Sequence, residues 1–452
     1  MQPSKQTIFE YFASFAKERP SDVFLFDEER SYTVSQALEA ICSAAAVLAQ
    51  NGVGEGEAVA VSATRTADTV IDIFALQFLG AEAVLYDPRE RCGEEKFILC
   101  GRSLFTHDSE ISVDYSKKYT FIPTFKDSAK PTVIIFTSGS TGIPKRVRLS
   151  QYNFINNALD TLDIGGYRAD DVNADVLPLH HVFGLALIFT AVVARHAIFV
   201  PQSVRPEYIV QSIIKYGVTR LNGVPSLYLA MAECEQTQSI TTLRCGLIGG
   251  APCTAEQFSY IEKKLGITLI PVYGMSECIG ISCSDGRLTA EQRCSNVGRV
   301  YSMNKVSFAP DGEILVKSPA MATGSAAEDG WLHTGDIGYL DGDGMLHVSG
   351  RKKDIIIRNG NNLSAVAIEQ KLLCLPAIKD ACVVGVKDGR EGEVPAAAIV
   401  LSPGSHLDAA DLRSVLAKNE LPAQVIFLPA IPLTSSGKPD KLRARTLFSP
   451  AD

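Results

Sequence analysis

Apolar positions along the chain fall into two rhythms. Short β-rich runs such as "AVAVSA" (58–63), "AEAVLYD" (81–87) and "HAIFVP" (196–201) alternate with amphipathic stretches such as "TVIDIFALQFLG" (69–80). That alternation predicts layered α/β structure, parallel strands covered by helices. At the start, Ile8, Phe12 and Phe15 stand near helical spacing between polar residues. A helix is predicted there, and not a basic segment followed by an unbroken apolar one, so no secretory leader is read. After about residue 300 the texture changes to Gly- and Asp-rich turns between short strands, as in "DGEILVKS", "GDIGYLDGDGMLHVSG" and "RKKDIIIRNG". A second, smaller unit is expected, with the charged "GRKKD" (350–354) as its linker. The expected organisation is therefore a large N-terminal domain of layered α/β subdomains over 1–353 and a small C-terminal α+β domain over 354–452, with the boundary near Asp354.

Composition narrows the function. The 452 residues are 46% hydrophobic and 21% charged, ordinary for a globular protein. A formal charge of −8 with no long basic block argues against nucleic acid and for a small-molecule substrate. The eleven cysteines are scattered; close pairs such as Cys278 with Cys283 and Cys92 with Cys100 lack the spacing and histidine partners of a zinc site. Free, mostly buried thiols are expected. The longest apolar stretch, Val182 to Ala194, is 13 residues, short of the roughly 20 that span a bilayer. A cytoplasmic protein without a membrane span is expected.

Candidate chemistry begins at "TSGSTGIPKRVRLS" (Thr137 to Ser150), directly behind the apolar "TVIIF" (132–136). A nucleotide-binding P-loop has four residues between its glycines, then Lys and Ser or Thr, and opens into a helix. Here Gly139 and Gly142 are three apart, Pro144 precedes Lys145, and "RVRLS" alternates like a strand before Ser150 caps a helix over "QYNFINNALD". The loop thus links strand to strand. Its backbone N–H groups and the hydroxyls of Ser138, Ser140 and Thr141 are able to wrap an anion, with Lys145 supplying charge. On these residues alone, anion cradle and plain turn stand level.

The order of motifs beyond it separates the two. "TSGSTGIPK", "PLHHVFGL" (178–185), "GGAP" (249–252), "VYGMSE" (272–277), "WLHTGD" (331–336), "GRKKD" (350–354) and "PLTSSGK" (432–438) follow one another from Thr137 to Lys438. In order and approximate spacing they resemble the adenylate-forming superfamily, which includes acyl- and aryl-CoA synthetases. The resemblance implies two steps: a carboxylate attacks the α-phosphate of ATP to give acyl-AMP and pyrophosphate, then a thiol displaces AMP. It implies a nucleotide site made of Thr137, Ser138, Gly139, Ser140, Thr141, Gly142 and Lys145 around the β- and γ-phosphates, Gly250, Ala251 and Pro252 bordering adenine, Tyr273 and Gly274 against its face, and Asp336 and Arg351 on the ribose. Ser276 would bond the α-phosphate and Glu277 would help to hold Mg²⁺, a hard cation that takes oxygen ligands. Lys438 would stabilise charge developing in the transition state. Asp354 would be a hinge between an adenylation pose and a thioester-forming pose.

The same resemblance makes His181 a gate beside the acid and thiol channel, in a pocket with Gly184, Val224, Gly249 and Gly274. Amino-acid-activating members carry an Asp in this region, and none stands there, although Asp171 and Asp175 lie upstream. A fatty or aryl acid is favoured, with CoA as acceptor. Two alternatives stay open: a stand-alone adenylation enzyme loading a carrier-protein phosphopantetheine, and a non-catalytic nucleotide-binding homologue. The second is motivated by departures from the family pattern. Arg146 stands where Gly commonly follows the loop Lys, Gln151 replaces a frequent His, and Ala365 and Ala367 replace the usual Pro and Glu before Glu369.

Overall fold

The computed structural model describes residues 2–90, 93, 95–106, 109–115, 121–137, 145–433 and 439–448. Among them the strands form four sheets, and each begins from the apolar runs noted above. One sheet has a parallel centre of Ala58–Ser62, Glu82–Tyr86, Phe97–Cys100 and Pro131–Thr137, finished at one edge by the antiparallel Lys145–Ser150. The largest sheet runs Thr268–Met275, Cys245–Ile248, Arg220–Leu221, Val172–Ala174, Ala197–Phe199 and Val23–Phe26 in parallel. It is extended antiparallel by Ile279–Cys283 on the side that will carry the site.

Five helices lie between these sheets and close one continuous core: Ile8–Glu18, Val34–Gln50, Ala67–Leu79, Gln151–Ile164 and Val182–Ala194. Their starts follow from capping. Thr7, Thr33 and Ser150 each accept from the backbone N–H three residues on, satisfying one of the donors a helix leaves open at its N-terminus. Ile8, Phe12 and Phe15 are buried as their spacing predicts, with Phe12 edge-on to Phe24 at 4.9 Å and to Phe74 at 5.9 Å.

One expectation fails instructively. The stretch read as amphipathic, 69–80, belongs to a helix (Ala67–Leu79) buried on every side. Its polar residues do not mark a wet face; they have found partners inside. Asp72 accepts from the Tyr115 hydroxyl at 2.5 Å, and burial holds its carboxyl well above the ordinary range. Gln77 exchanges two hydrogen bonds with Thr132, at 2.6 and 3.0 Å. Buried polar groups that are hydrogen-bonded are tolerated, so pattern alone misread them as surface.

The four antiparallel strands Lys305–Phe308, Glu313–Lys317, Leu332–Leu340 and Leu346–Arg351 pack Ile314, Val316, Leu332 and Leu346 on Cys278 and Ile281, and so belong with the large domain. A 3₁₀ turn, Lys352–Asp354, leads from them into a small C-terminal domain. There Ile355–Arg358, Asn361–Ser364, Ile378–Asp388, Gly392–Leu401 and Gln424–Phe427 form one sheet. Val383 faces the helix Ala365–Leu373, while its neighbours Cys382 and Val384 face Ala444 and Phe448 on the other side. This is the period-two alternation of a sheet covered on both faces. Ala365 occupies the first helical turn where the family's Pro would stand, and Ser364 caps that helix through the Ala367 N–H at 3.2 Å. The helix therefore survives the substitution. No described helix is long and apolar enough to cross a membrane.

A buried stack sits beneath the large sheet. The His196 ring lies parallel to Tyr167 at 5.5 Å, and the Arg220 guanidinium lies 3.6 Å from the other ring's centre while donating to Gly165 O at 2.7 Å. Burial pushes His196 down to about 4 from 6.5, so the folded protein holds it neutral. A depressed histidine pKa stabilises the fold fully above 6.5, and that contribution is lost as pH falls through about 4. His196→Phe, which keeps the stack without a titrating group, is expected to flatten the fall of the unfolding free energy between those pH values, by up to roughly 3 kcal/mol, read by denaturant melts at each pH.

Candidate active site

The site assembles where the largest sheet ends and the antiparallel arm begins. The strand Thr268–Met275 carries Tyr273 and Gly274, then turns through Ser276 and Glu277 into Ile279–Cys283. The turn is tight: a Cβ on Gly274 would lie 1.9 Å from the Ile279 carbonyl oxygen, so only glycine fits. Ile279 itself has φ of 52°, a conformation that β-branched residues rarely adopt. Such strain is held only where surrounding structure over-determines it. Here the Glu277 carbonyl is fixed by the Ala322 N–H at 2.8 Å.

Two ionic arrangements converge on this turn. Asp336, 4% exposed, accepts from the Tyr273 hydroxyl at 2.7 Å and pairs through its other oxygen with Arg351 Nε at 3.1 Å. Asp336 and Arg351 are also direct partners across their strands. Burial, reinforced by the Asp336 charge, pushes the Tyr273 phenol far up, so it remains a donor at physiological pH. On the other side, Lys145 Nζ lies 3.7 Å from Glu277 Oε1. The lysine is well exposed and the glutamate mostly buried, leaving an ammonium pointing at open space beside a carboxylate.

Lys145 pairs with Thr137 across the antiparallel strands, which confirms the strand-to-strand reading of the loop. Ser138, Gly139, Ser140, Thr141 and Gly142 lie outside the described residues, as does Lys438. Arg146 turns away from Glu277 to Glu95, 3.5 Å away, and over the Phe136 ring at 5.7 Å. Tyr86 donates to the same Glu95 at 3.0 Å. Gln151 is fully buried, accepting from the Ile8 N–H at 2.8 Å and donating to Gln77 O at 2.7 Å. It ties the first helix to the core.

Gly249 follows the strand Cys245–Ile248, and its N–H donates to Gly223 O at 3.2 Å, bringing it beside Val224, which precedes the helix Pro225–Ala232. A Cβ on Gly249 would press on Val272 at 2.8 Å and reach Phe183 at 3.7 Å. Gly250 takes φ of 81°, turning the chain through Ala251 and Pro252. His181 caps the helix Val182–Ala194, and a Cβ on Gly184 would sit 2.5 Å from Pro178 O. Gly249 is thereby linked to Gly223, the neighbour of Val224, to Val272, two residues before Gly274, and to Phe183, the neighbour of Gly184. His181 stacks obliquely on His180 at 4.4 Å. His180 lies 3.7 Å from Asp87, whose carboxyl the Arg89 guanidinium holds far below the ordinary range. Burial lowers His180, which favours its neutral form. Neither Asp87 nor Glu95 was legible as a site neighbour, because their partners are about a hundred or fifty residues away along the chain.

The profile of the AMP-binding enzyme family matches residues 12–100 and 102–325, and that of the AMP-binding enzyme C-terminal domain matches 367–438. The chain belongs to the AMP-binding enzyme family. It is 30% identical over 450 residues to a 2-succinylbenzoate–CoA ligase of Bacillus cereus strain Q1, covering 91% of this chain and 92% of that one. It is also 30% identical over 465 residues to the ligase of that name from Geobacillus kaustophilus strain HTA426, with 93% and 94% covered. Among solved structures, o-succinylbenzoate CoA synthetase from Bacillus subtilis with its acyl-adenylate intermediate matches at TM-score 0.82 and 25% identity, covering 100% of this chain and 99% of that one. An ATP-bound protein from Rhodopseudomonas palustris shares the fold at TM-score 0.87 and 22% identity, covering 97% and 99%. The AMP-binding enzyme architecture of large domain and small C-terminal domain is therefore that of this chain. Gly274→Ala is expected to lower the thermal midpoint and to remove the stabilisation that ATP with Mg²⁺ gives the wild type, read by thermal shift with and without nucleotide.

Proposed function

We propose that the protein is an ATP-dependent carboxylate:thiol ligase that forms an acyl-adenylate and passes the acyl group to CoA, with an aromatic acid as substrate. The observation that carries this is the pairing of Tyr273, Asp336 and Arg351 on one side of the Ser276–Glu277 turn with Lys145 on the other. That arrangement offers a base face, a ribose clamp and a cation at the phosphates within one corner. In this reading Tyr273 and the Gly250–Pro252 turn receive adenine, Asp336 accepts the ribose hydroxyls, and Ser276 donates to the α-phosphate. Lys145, with the residues Thr137 to Gly142, holds the β- and γ-phosphates.

Glu277 suits Mg²⁺. It is a mostly buried carboxylate beside the phosphate cation, and no cluster of three potential metal ligands occurs among the described residues. Mg²⁺ is commonly held by one or two carboxylates together with substrate phosphates, so one glutamate suffices. When bound, it would neutralise phosphate charge. The rest falls to the chain. A carboxylate oxygen attacks the α-phosphorus, pyrophosphate leaves, and Lys438 offsets the charge that develops. The thiol sulfur then attacks the acyl carbonyl, AMP leaves with the bonding electrons, and the thiol proton passes to solvent.

The substrate assignment draws on two supports. The helix Val182–Ala194 behind His181 has no acidic residue in its first turn to bind an ammonium, and the curated relatives bear the name 2-succinylbenzoate–CoA ligase. 2-Succinylbenzoate is the first acid to test, and CoA the first thiol. Asp354 is proposed as the hinge and domain boundary, which places the ligase's second pose in a rotation of the small domain. A cytoplasmic location accords with CoA and ATP as substrates.

Carboxylate-dependent ATP–pyrophosphate exchange over aryl, fatty and amino acids tests the reading, followed by thioester formation with CoA or a holo carrier protein. Exchange with an aryl acid and thioester with CoA are expected. Lys438→Ala is expected to lower exchange by about 10²-fold or more while leaving ATP binding by the large domain in place. ATP binding without exchange for any acid would sink the proposal.

A further inference from the structure

The hinge turn lies between two ionic anchors of opposite allegiance. On its large-domain side, Lys352 Nζ lies 2.6 Å from Asp311 and 3.1 Å from Glu313. Glu313 is itself fixed by the Gly335 N–H at 2.9 Å, one residue before Asp336. On its small-domain side, Lys441 Nζ lies 3.1 Å from Glu369 Oε1 and 3.9 Å from Asp354 Oδ2. These three side chains are only 21%, 14% and 16% exposed, in that order. Glu369 Oε1 also accepts the Val383 N–H at 2.7 Å, so the cluster is rooted in the strand Ile378–Asp388 at the edge of the small-domain sheet.

Lys441 also opens the helix Lys441–Thr446, directly behind a closed neck. Leu433 bridges Pro439, and the Asp440 N–H donates to Pro432 O at 2.8 Å. One ammonium therefore joins the hinge carboxylate, the helix that retained only Glu369 of its family motif, and the neck from which the Lys438 segment departs. Two carboxylates around one mostly buried cation are far costlier to leave unpaired than to pair.

We propose that Lys441 is a positioning residue that fastens the Asp354 carboxylate to the interior of the small domain. The hinge turn beyond Lys353 then moves with that domain, while Lys352 stays with the large one. This rests on the ligase reading, in which the small domain must present Lys438 to the large domain in one defined pose. Without Lys441, the substrates would still bind to the large domain, and the productive pose would be populated less.

The test uses the full-length chain as Lys441→Met, Lys441→Arg and the charge-balanced pair Glu369→Gln with Lys441→Met. Tryptic cleavage at Lys352 and Lys353 reads the hinge without requiring turnover. Lys441→Met is expected to speed that cleavage several-fold and to lower the kcat of exchange about ten-fold, with the KM for ATP within about two-fold of wild type. Lys441→Arg should restore both. The double variant should regain the wild-type melting midpoint but neither hinge protection nor kcat, which separates positioning from the mere cost of stranded charge. Unchanged cleavage in Lys441→Met, or recovery of protection and kcat in the double variant, overturns the proposal. A wild type inactive in exchange, with cleavage still accelerated by Lys441→Met, would sink the ligase reading and leave the anchoring of Asp354 standing.

Discussion

The buried carboxylate of Asp336 is the constraint on which the site depends. It stands one strand in from the edge of the four-stranded sheet, yet its two oxygens are committed to Tyr273 of the largest sheet and to Arg351, directly before the 3₁₀ turn Lys352–Asp354. An ionised carboxylate in so enclosed a position is stable only when both oxygens are engaged, so the pairings fix three elements to one another. The apolar contact of Ile314, Val316, Leu332 and Leu346 with Cys278 and Ile281 supplies the area that holds the sheets together. Asp336 supplies the register. The position of the strand Thr268–Met275 and the start of the small domain are set by a single group.

Close backbone approach does the rest of the shaping. Gly249, Gly274 and Gly184 are each placed where a methyl group would meet a carbonyl oxygen at 2.8 Å or less. Their role is steric rather than conformational, because these three do not take left-handed backbone angles. The strain is instead carried by Ile279 with its positive φ, directly after the residues that would face phosphate and metal. A turn built this way presents Ser276 and Glu277 on rigid supports at the end of a strand, while the neighbouring Lys145 hangs on an exposed stem.

Much of this was readable along the chain. The strand–loop–strand order around Thr137 and Lys145, the Ser150 cap, the first helix and the change of texture near residue 300 all follow from local spacing, and the structure has them. What could not be read were polar residues whose partners are distant. Gln151 looked like a changed site residue, yet its hydrogen bonds run to Ile8 and Gln77, 143 and 74 positions away. Asp72 and Gln77 made a buried helix look amphipathic for the same reason. Arg146 looked like extra charge at the phosphates, and Glu95 claims it. Glu369 looked like the survivor of an eroded motif, and Lys441 gives it a purpose. Periodicity reports which face is apolar; it does not report which polar group has found company inside.

The distribution of thiols has a practical consequence. Burial pushes Cys278, Cys283 and Cys382 up to about 12, which leaves them as unreactive thiols at neutral pH. Among the described cysteines, Cys100 and Cys374 are the exposed ones, the first on a strand of the large domain and the second at the end of the first helix of the small one. Among the described residues each domain thus carries one exposed thiol. Spin labels or a donor and acceptor dye placed there, with Cys92 exchanged for serine, would report the distance between the two domains, without building a foreign cysteine into either.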